Sequence, residues 1–558
     1  MKVNVRGPRT WWLHLFILVA LTASGVNAFA EPNCDEVVSA ETAEMGAPVI
    51  EEPVWTAEPP ILTAEQRAQL EYWQERTGLP GPMLKKAGGD LVVGAPEPGT
   101  DSVLADQANV PGDATLFLNI DFGSKIPDGY KSNIMESSVG VGGKYVFFTG
   151  NWFAARTTKG GGKKVDQWEH ISPFTDFPDF CCDQIAIYDE SRNRYFWLRM
   201  GIPSGGTNVF KLSVSKNGMK TYSTYTTSPT DVNSSWTNQW WDYCHIQLGA
   251  DYLYMAWNMF DQSDTWTRTV ILRWPLDELA AGAAFSYSYY ANPTWFTFVP
   301  VQGAYHTMYW ASNYRTDTTP DRHIRIWKWD EDDTTIYSWI KEVTPWTVTY
   351  RGDAQCGSSS GNWAARYDQR LLTGARYSIN SDGIEDSRIP GRKVLAWWWN
   401  VAQGGDFAHP YIDAAAFYED TIAQVGGLLG RPYVWSSSQC FAYPSVTANK
   451  RQDLGMVFHY GISDDNFNPD VGYSIADDFT HAPPRWVFYN VKHSNARPSD
   501  EVWGDYNTVR EFEPTQKVWA AGSHYIPGDT DCSSCSEPVY FVFGRERDQQ
   551  SYKRWRKK

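Results

Sequence analysis

From Asp113 onward one unit recurs: a polar or aromatic residue, a short apolar strand, a turn, and a second strand dense in aromatics. Its starts fall near Glu136, Asp183, Tyr243, Gln302, Asn362, Tyr443 and Trp503, at intervals of 47, 60, 59, 60, 81 and 60 residues. Recurrence at such a period constrains the fold more than any local signal, because each unit must bury its faces against the next. The strands are short and apolar ("NRYFWLRM", "DYLYMAWNMF", "KVLAWWWNV"), with Gly, Asn, Asp and Ser between them. This part of the chain therefore reads as all-β. Each interval can hold a four-stranded blade, so seven starts predict a seven-bladed β-propeller. Six or eight blades are also compatible, since the 81-residue interval could hide an insertion or another blade. The strand "DATLFLNIDF" at 113–122 is expected to close the ring on the last blade, which removes two exposed sheet edges.

The remaining segments are read as follows. Residues 1–30 carry Lys2, Arg6 and Arg9, an apolar run from Trp11 to Leu21, and Ala28-Phe29-Ala30. That is the pattern of a secretory signal cut before Glu31, and the run is short for a membrane-spanning helix. Residues 31–112 read as a linker rich in Pro, Gly, Ala and acid, with one short helix capped by Thr63 and Gln66. The propeller is placed at 113–547, and 548–558 is a basic tail. Losing three cations with the signal takes the net charge from -16 to -19, which argues against nucleic acid or an anionic membrane as partner. Eight cysteines suit an oxidising compartment, secreted or periplasmic.

The stretches "YVFFTGNWFAART", "FCCDQIAIYDESRNRYFWL", "YPSVTAN" and "WGDYNTV" resemble secreted bacterial propellers of the sialidase-like, BNR-repeat family. "SKNGMKTY", Ser215 to Tyr222, is similar to that family's Asp-box, S-x-D-x-G-x-T-W, with Asn217, Met219 and Tyr222 departing from it. The resemblance covers most of 113–545 and implies fold, not activity. Sialidase chemistry as the family performs it would need three arginines, a tyrosine nucleophile with a glutamate, and an aspartate. The early "FRIP" motif is absent, Arg388-Ile389-Pro390 comes too late, and no arginine sits at the inferred starts; Arg156, Arg366 and Arg510 are nearest.

Residues at the starts of innermost strands converge on a central funnel in a propeller. They include Gln302, His306 and the following candidates. For catalysis these are Glu136, Asp183, Asp242 and Asp505, since two carboxyls across a funnel suffice for glycoside hydrolysis. For ligand contact they are Trp363, Tyr443, Trp503, Tyr506, His245 and Asn362. Cys181 and Cys182 adjoin Asp183, and they either pair with one another or separately with cysteines such as Cys244 or Cys440. Cys532 and Cys535 are expected to form a local clip. No cofactor is expected, although Asp464, Asn466, Asn468 and Asp470 alternate as in a calcium loop; Pro469 stands where such a loop needs Gly. The composite expectation is an exported propeller that recognises a glycan or similar polymer in its funnel without turnover. Its alternative is a glycoside hydrolase or lyase using the funnel carboxylates.

Overall fold

Strand after strand pairs a short aromatic run with the next across a tight turn, and a computed structural model shows how these hairpins assemble. It describes residues 34–69, 103–104, 114–158, 168–317, 322–357, 361–379, 391–463, 466–476, 486–499, 501–513, 515–531 and 535–557. Residues 1–30, read as a secretory signal, lie outside these residues.

The strands of 138–545, joined by Ala114–Asp121, form antiparallel meanders of four strands each. Sheet 1 runs from Ser138–Gly142 to Trp168–Ile171, and sheet 2 from Phe180–Asp189 to Tyr222–Thr227. Sheet 3 runs from Gln239–Leu248 to Phe285–Asn292, and sheet 4 from Val299–Gln302 to Thr335–Glu342. Sheet 5 runs from Leu371–Ile379 to Leu428–Gly430, and sheet 6 from Gln439–Ala448 to Val487–Lys492. Sheet 7 combines Thr508–Glu511, Trp519–Tyr525 and Glu537–Arg545 with Ala114–Asp121, which pairs antiparallel with Glu537–Arg545. Sheets 4 and 5 are continuous through two parallel pairs, Val301↔Gly374 and Gln302↔Ala375. The first strand of each sheet touches the first strand of the next, and Thr508–Glu511 touches Ser138–Gly142, so the circuit closes.

Aromatics fill the space between sheets. Trp197, Trp257, Trp274, Trp310 and Trp327 are fully buried, and Trp310 and Trp327 lie parallel with ring centroids 6.0 Å apart. Close packing leaves some positions no room for a side chain: a Cβ at Gly142 would lie 1.9 Å from the Tyr188 ring of the next sheet.

The segment read as a linker differs from that reading. Glu36–Ser39 adds a strand to sheet 4, Glu41–Met45 to sheet 3 and Val49–Glu51 to sheet 2, and Thr56 bridges His170 of sheet 1. A strap thus covers four outer edges in succession. Unpaired edges invite intermolecular pairing, so this covering has a physical use. The composition hid it because edge strands can be polar: Val37, Val49 and Ile50 are exposed and acids alternate with them. The short helix begins as expected, with the Gln66 amide donating to the Thr63 hydroxyl (3.1 Å) and the Thr63 amide to the Gln66 side chain (2.9 Å).

The basic tail also differs. Gln549–Lys557 is helical, and its buried Tyr552 packs on Phe117 and Phe512. Asp548 anchors it through the guanidinium of Arg451.

"SKNGMKTY" forms the turn between the last two strands of sheet 2. Asn217 stands in for the Asp: its carbonyl oxygen accepts from the Ser215 hydroxyl (2.9 Å) and the Thr221 amide (3.1 Å), and its NH2 reaches the Thr221 hydroxyl.

Candidate active site

A repeated backbone irregularity builds the site. The first strands of sheets 2, 3, 5 and 6 carry β-bulges, between Cys181 and Gln184, Asp242 and His245, Leu371 and Thr373, and Ala442 and Ser445. Cys182, Tyr243 and Tyr443 sit in these bulges in the left-handed region, with φ of 36°, 49° and 55°. Glu136 (47°) and Thr297 (58°) take the same conformation just ahead of sheets 1 and 4. A bulge bends its strand and re-aims a side chain, and non-glycine residues at positive φ are costly. Their recurrence at one end of the circuit marks that end as the specialised one.

Three of the four predicted carboxyls meet there, and the fourth is their neighbour. Glu136 and Asp183 lie within hydrogen-bonding reach of one another, and both feel the charge of Asp505. Asp242 feels Asp183 and Asp505. Burial, reinforced by these like charges, raises Glu136 well above the ordinary carboxyl range and Asp242 to about 8. Burial likewise raises Asp183 to about 6, where the hydrogen bond with Glu136 and the charge of Arg370 act in the opposite sense.

Arg370 is the residue that sequence reasoning missed. Its side chain is 6% exposed, with Nη2 3.3 Å from Asp505 and Nε 3.4 Å from Asp368, and its guanidinium lies 4.0 Å from the centre of the Tyr243 ring. The segment that delivers it is pinned by Gln369, whose side-chain oxygen accepts from the Trp346 indole (2.9 Å) and the Thr349 amide (3.0 Å). Gln184, beside Asp183, does the same for the Trp197 indole (2.8 Å). "DQ" therefore recurs at 183–184 and 368–369 with one role for the glutamine. The dipeptide also stands at 106–107, 166–167, 261–262 and 548–549, so by itself it does not mark the site.

Several buried polar atoms around the cluster have no protein partner: Glu136 Oε2, the hydroxyls of Tyr243, Tyr443 and Tyr506, and His245 Nε2. Burial raises the three tyrosines, so these hydroxyls keep their protons and can donate. Burial, with Arg370 and Arg510 nearby, lowers His245 to about 3 and keeps it neutral. Polar atoms left open in this way fit a site completed by water or ligand.

Other candidates are occupied by the fold. The side chain of Asn362 holds the Cys356 and Ala364 amides and the Ala354 carbonyl. Trp363 is fully buried and donates to the Phe467 carbonyl (2.7 Å). Trp503 is buried against His524 and His459, with centroids 4.3 and 5.2 Å away. Gln302 lies deeper in the channel, and His306 is exposed at the opposite end, in a group with Asp251 and Glu331. Arg192 Nη2 lies 3.4 Å from Asp251 there, which opposes a cation. Sheets 4 and 5 start at Val299 and Leu371, so the repeat register assumed for those two units was displaced.

Cys181 and Cys182 are bonded to each other, and Cys356 bonds Cys440, tying the segment before sheet 5 to the first strand of sheet 6. Cys244 is free and buried. Cys535 is disulfide-bonded, and Cys532 lies outside the described residues. In the alternating acidic stretch Asp470 accepts from the Ser494 amide and meets His493 Nδ1, both at 2.8 Å, and Asp464 lies outside the described residues.

The raised carboxyls have a measurable consequence. Folded Asp183 and Asp242 hold more protons than the unfolded chain between the ordinary value, about 4, and their raised ones. The stability this contributes is present below about pH 4 and is lost as pH rises through about 6 to 8. Tm should therefore fall over that window, and should fall less steeply in Asp242→Asn. Equal slopes in scanning calorimetry would mean that Asp242 titrates as an ordinary carboxyl.

No family model matches the sequence, and no curated protein does. Among solved structures the chain is similar to an α-L-arabinofuranosidase of Fusarium graminearum, at 8% identity and TM-score 0.38, over 76% of this chain and 96% of that one. It is similar to an α-L-arabinanase of Penicillium chrysogenum at 8% identity and TM-score 0.33, over 62% and 89%. A Trypanosoma rangeli sialidase follows at 9% and 0.35, over 62% of this chain and 54% of that one. These neighbours are β-propellers, and at such identities the likeness does not extend to individual side chains.

Proposed function

We propose that this chain is an exported seven-bladed β-propeller, closed by the strand 114–121, whose funnel binds a glycan and hydrolyses it with its carboxyl groups. The seven-bladed reading is supported by the closed circuit of first strands and by the pairing of Ala114–Asp121 with the last sheet. Export is supported by the disulfides and by the sequence of residues 1–30. Among the described residues no helix is long and apolar enough to cross a membrane.

The observation that carries the activity is the Glu136–Asp183 pair, held within hydrogen-bonding reach and raised by burial. A carboxyl that keeps its proton near neutral pH can protonate a leaving glycosidic oxygen. Asp505, ion-paired with Arg370 and 26% exposed, is placed to act as the second carboxyl, on water or on the sugar. The hydroxyls of Tyr243 and Tyr443 donate hydrogen bonds to the glycan. A tyrosine nucleophile is disfavoured, because burial holds Tyr243 in its neutral form. Recognition without turnover is less well supported, since the faces of Trp363 and Trp503 are spent inside the protein.

The experiment is reducing-end release from a panel of polysaccharides by the wild type beside Asp183→Asn. Release that disappears in the variant supports hydrolysis. Binding by the wild type with no release from any member of the panel returns the protein to the lectin-like reading.

A further inference from the structure

Below the funnel the first strands of sheets 2 to 7 line a cavity of 40 Å³, and one cation in its wall meets no carboxylate among the described residues. Arg510 donates from Nη1 to two neutral amide oxygens, those of Gln302 (2.7 Å) and Gln247 (3.4 Å). Gln302 is fixed in turn by donating to the Val446 carbonyl (3.0 Å). Arg510 Nε is buried without a partner, and no carboxylate among the described residues pairs with this guanidinium. Arg370, by contrast, has two aspartates.

The rest of the wall is neutral and rich in donors. His245 and Tyr506 line the cavity, and each presents a buried polar atom, Nε2 and the hydroxyl, that finds no protein partner. Thr373, Ser445 and Thr508 add hydroxyls. Arg510 is half-buried with its Nε enclosed, and a cation so withdrawn from water is costly unless something of opposite sign sits beside it. A guanidinium cannot solve this by losing its proton. The volume accommodates a few water-sized bodies, a water needing about 10–15 Å³ of such space.

We propose that this cavity is an anion site, taking one halide-sized monovalent anion between Arg510, His245 and Tyr506. The site is separate from the glycan-binding reading of the funnel and does not depend on it. The anion supplies the missing counter-charge, and it places a fixed negative charge beneath the carboxyl cluster, on the side shared through Tyr506 and His245.

Crystals grown without halide and soaked in bromide test this directly. Anomalous difference density within hydrogen-bonding distance of the Arg510 guanidinium is the expected result, and its absence from the channel overturns the proposal. In solution, Tm in gluconate buffer should rise saturably with added chloride or bromide at constant ionic strength. Arg510→Gln should lose that dependence. If the variant does not fold, the bromide map of the wild type still decides. A Tm that ignores halide, with an empty map, leaves only water in the cavity and refutes the anion.

Discussion

Asp183→Asn is expected to lower kcat on the glycan substrate by about 10²–10⁴-fold, the usual worth of a positioned general acid or base, while KM changes little. Asparagine keeps the shape of the side chain and cannot exchange a proton at neutral pH. Glu136→Gln should produce a loss of similar size, because the two carboxyls lie within hydrogen-bonding reach and act on one proton. The double variant should then be little worse than either single one, since groups that work as a unit are not additive. Steady-state kinetics of the four proteins reads this out. A double variant whose loss is the product of the single losses would mean that the two groups act independently, and a change confined to KM would assign them to binding.

Deleting 114–121 is expected to abolish folding. That strand pairs with Glu537–Arg545 from Val539↔Asp121 to Arg545↔Ala114, and buries Ile120 and Ala114. Its loss leaves sheet 7 with three strands, bares the outer edge of Glu537–Arg545 and unties the N-terminal segment from the last sheet, on a chain whose core depends on every neighbour. Deleting 34–51 is different in kind. It removes fifth strands from the outer rims of sheets 2, 3 and 4 and leaves each four-stranded meander whole. That protein should fold and should self-associate through the uncovered edges. Circular-dichroism melting with size-exclusion chromatography separates the outcomes, and equal stability of the two truncations would contradict closure by 114–121.

What is legible in the sequence follows from what repeats. Tyr243 and Tyr443 stand out because each sits in a bulge that opens its own unit, and Glu136, Asp183 and Asp242 because they adjoin such positions. The unit at Asn362 misleads because an insertion, tied down by Cys356–Cys440, delays the first strand of sheet 5 until Leu371. Arg370 is lost with that displacement, although Asp368-Gln369 repeats Asp183-Gln184. Trp363 and Trp503 fall in the right region but serve the protein rather than a ligand. An aromatic at a funnel rim can face sugar or face its own chain, and composition does not distinguish the two. The strap escapes for a different reason. Its strands gain their hydrogen bonds from edges already formed by other parts of the chain, so their own residues need little apolar character.

The most direct measurement is the protonation of the funnel carboxyls at pH 7, by isotope-edited infrared spectroscopy of protein labelled at aspartate and glutamate side chains. The buried cluster predicts a protonated-carboxyl band at neutral pH that is diminished in Glu136→Gln and again in Asp242→Asn, the two groups that burial raises most clearly. A spectrum with only ionised carboxylates at pH 7, unchanged by either substitution, would contradict it and leave the funnel without a proton donor.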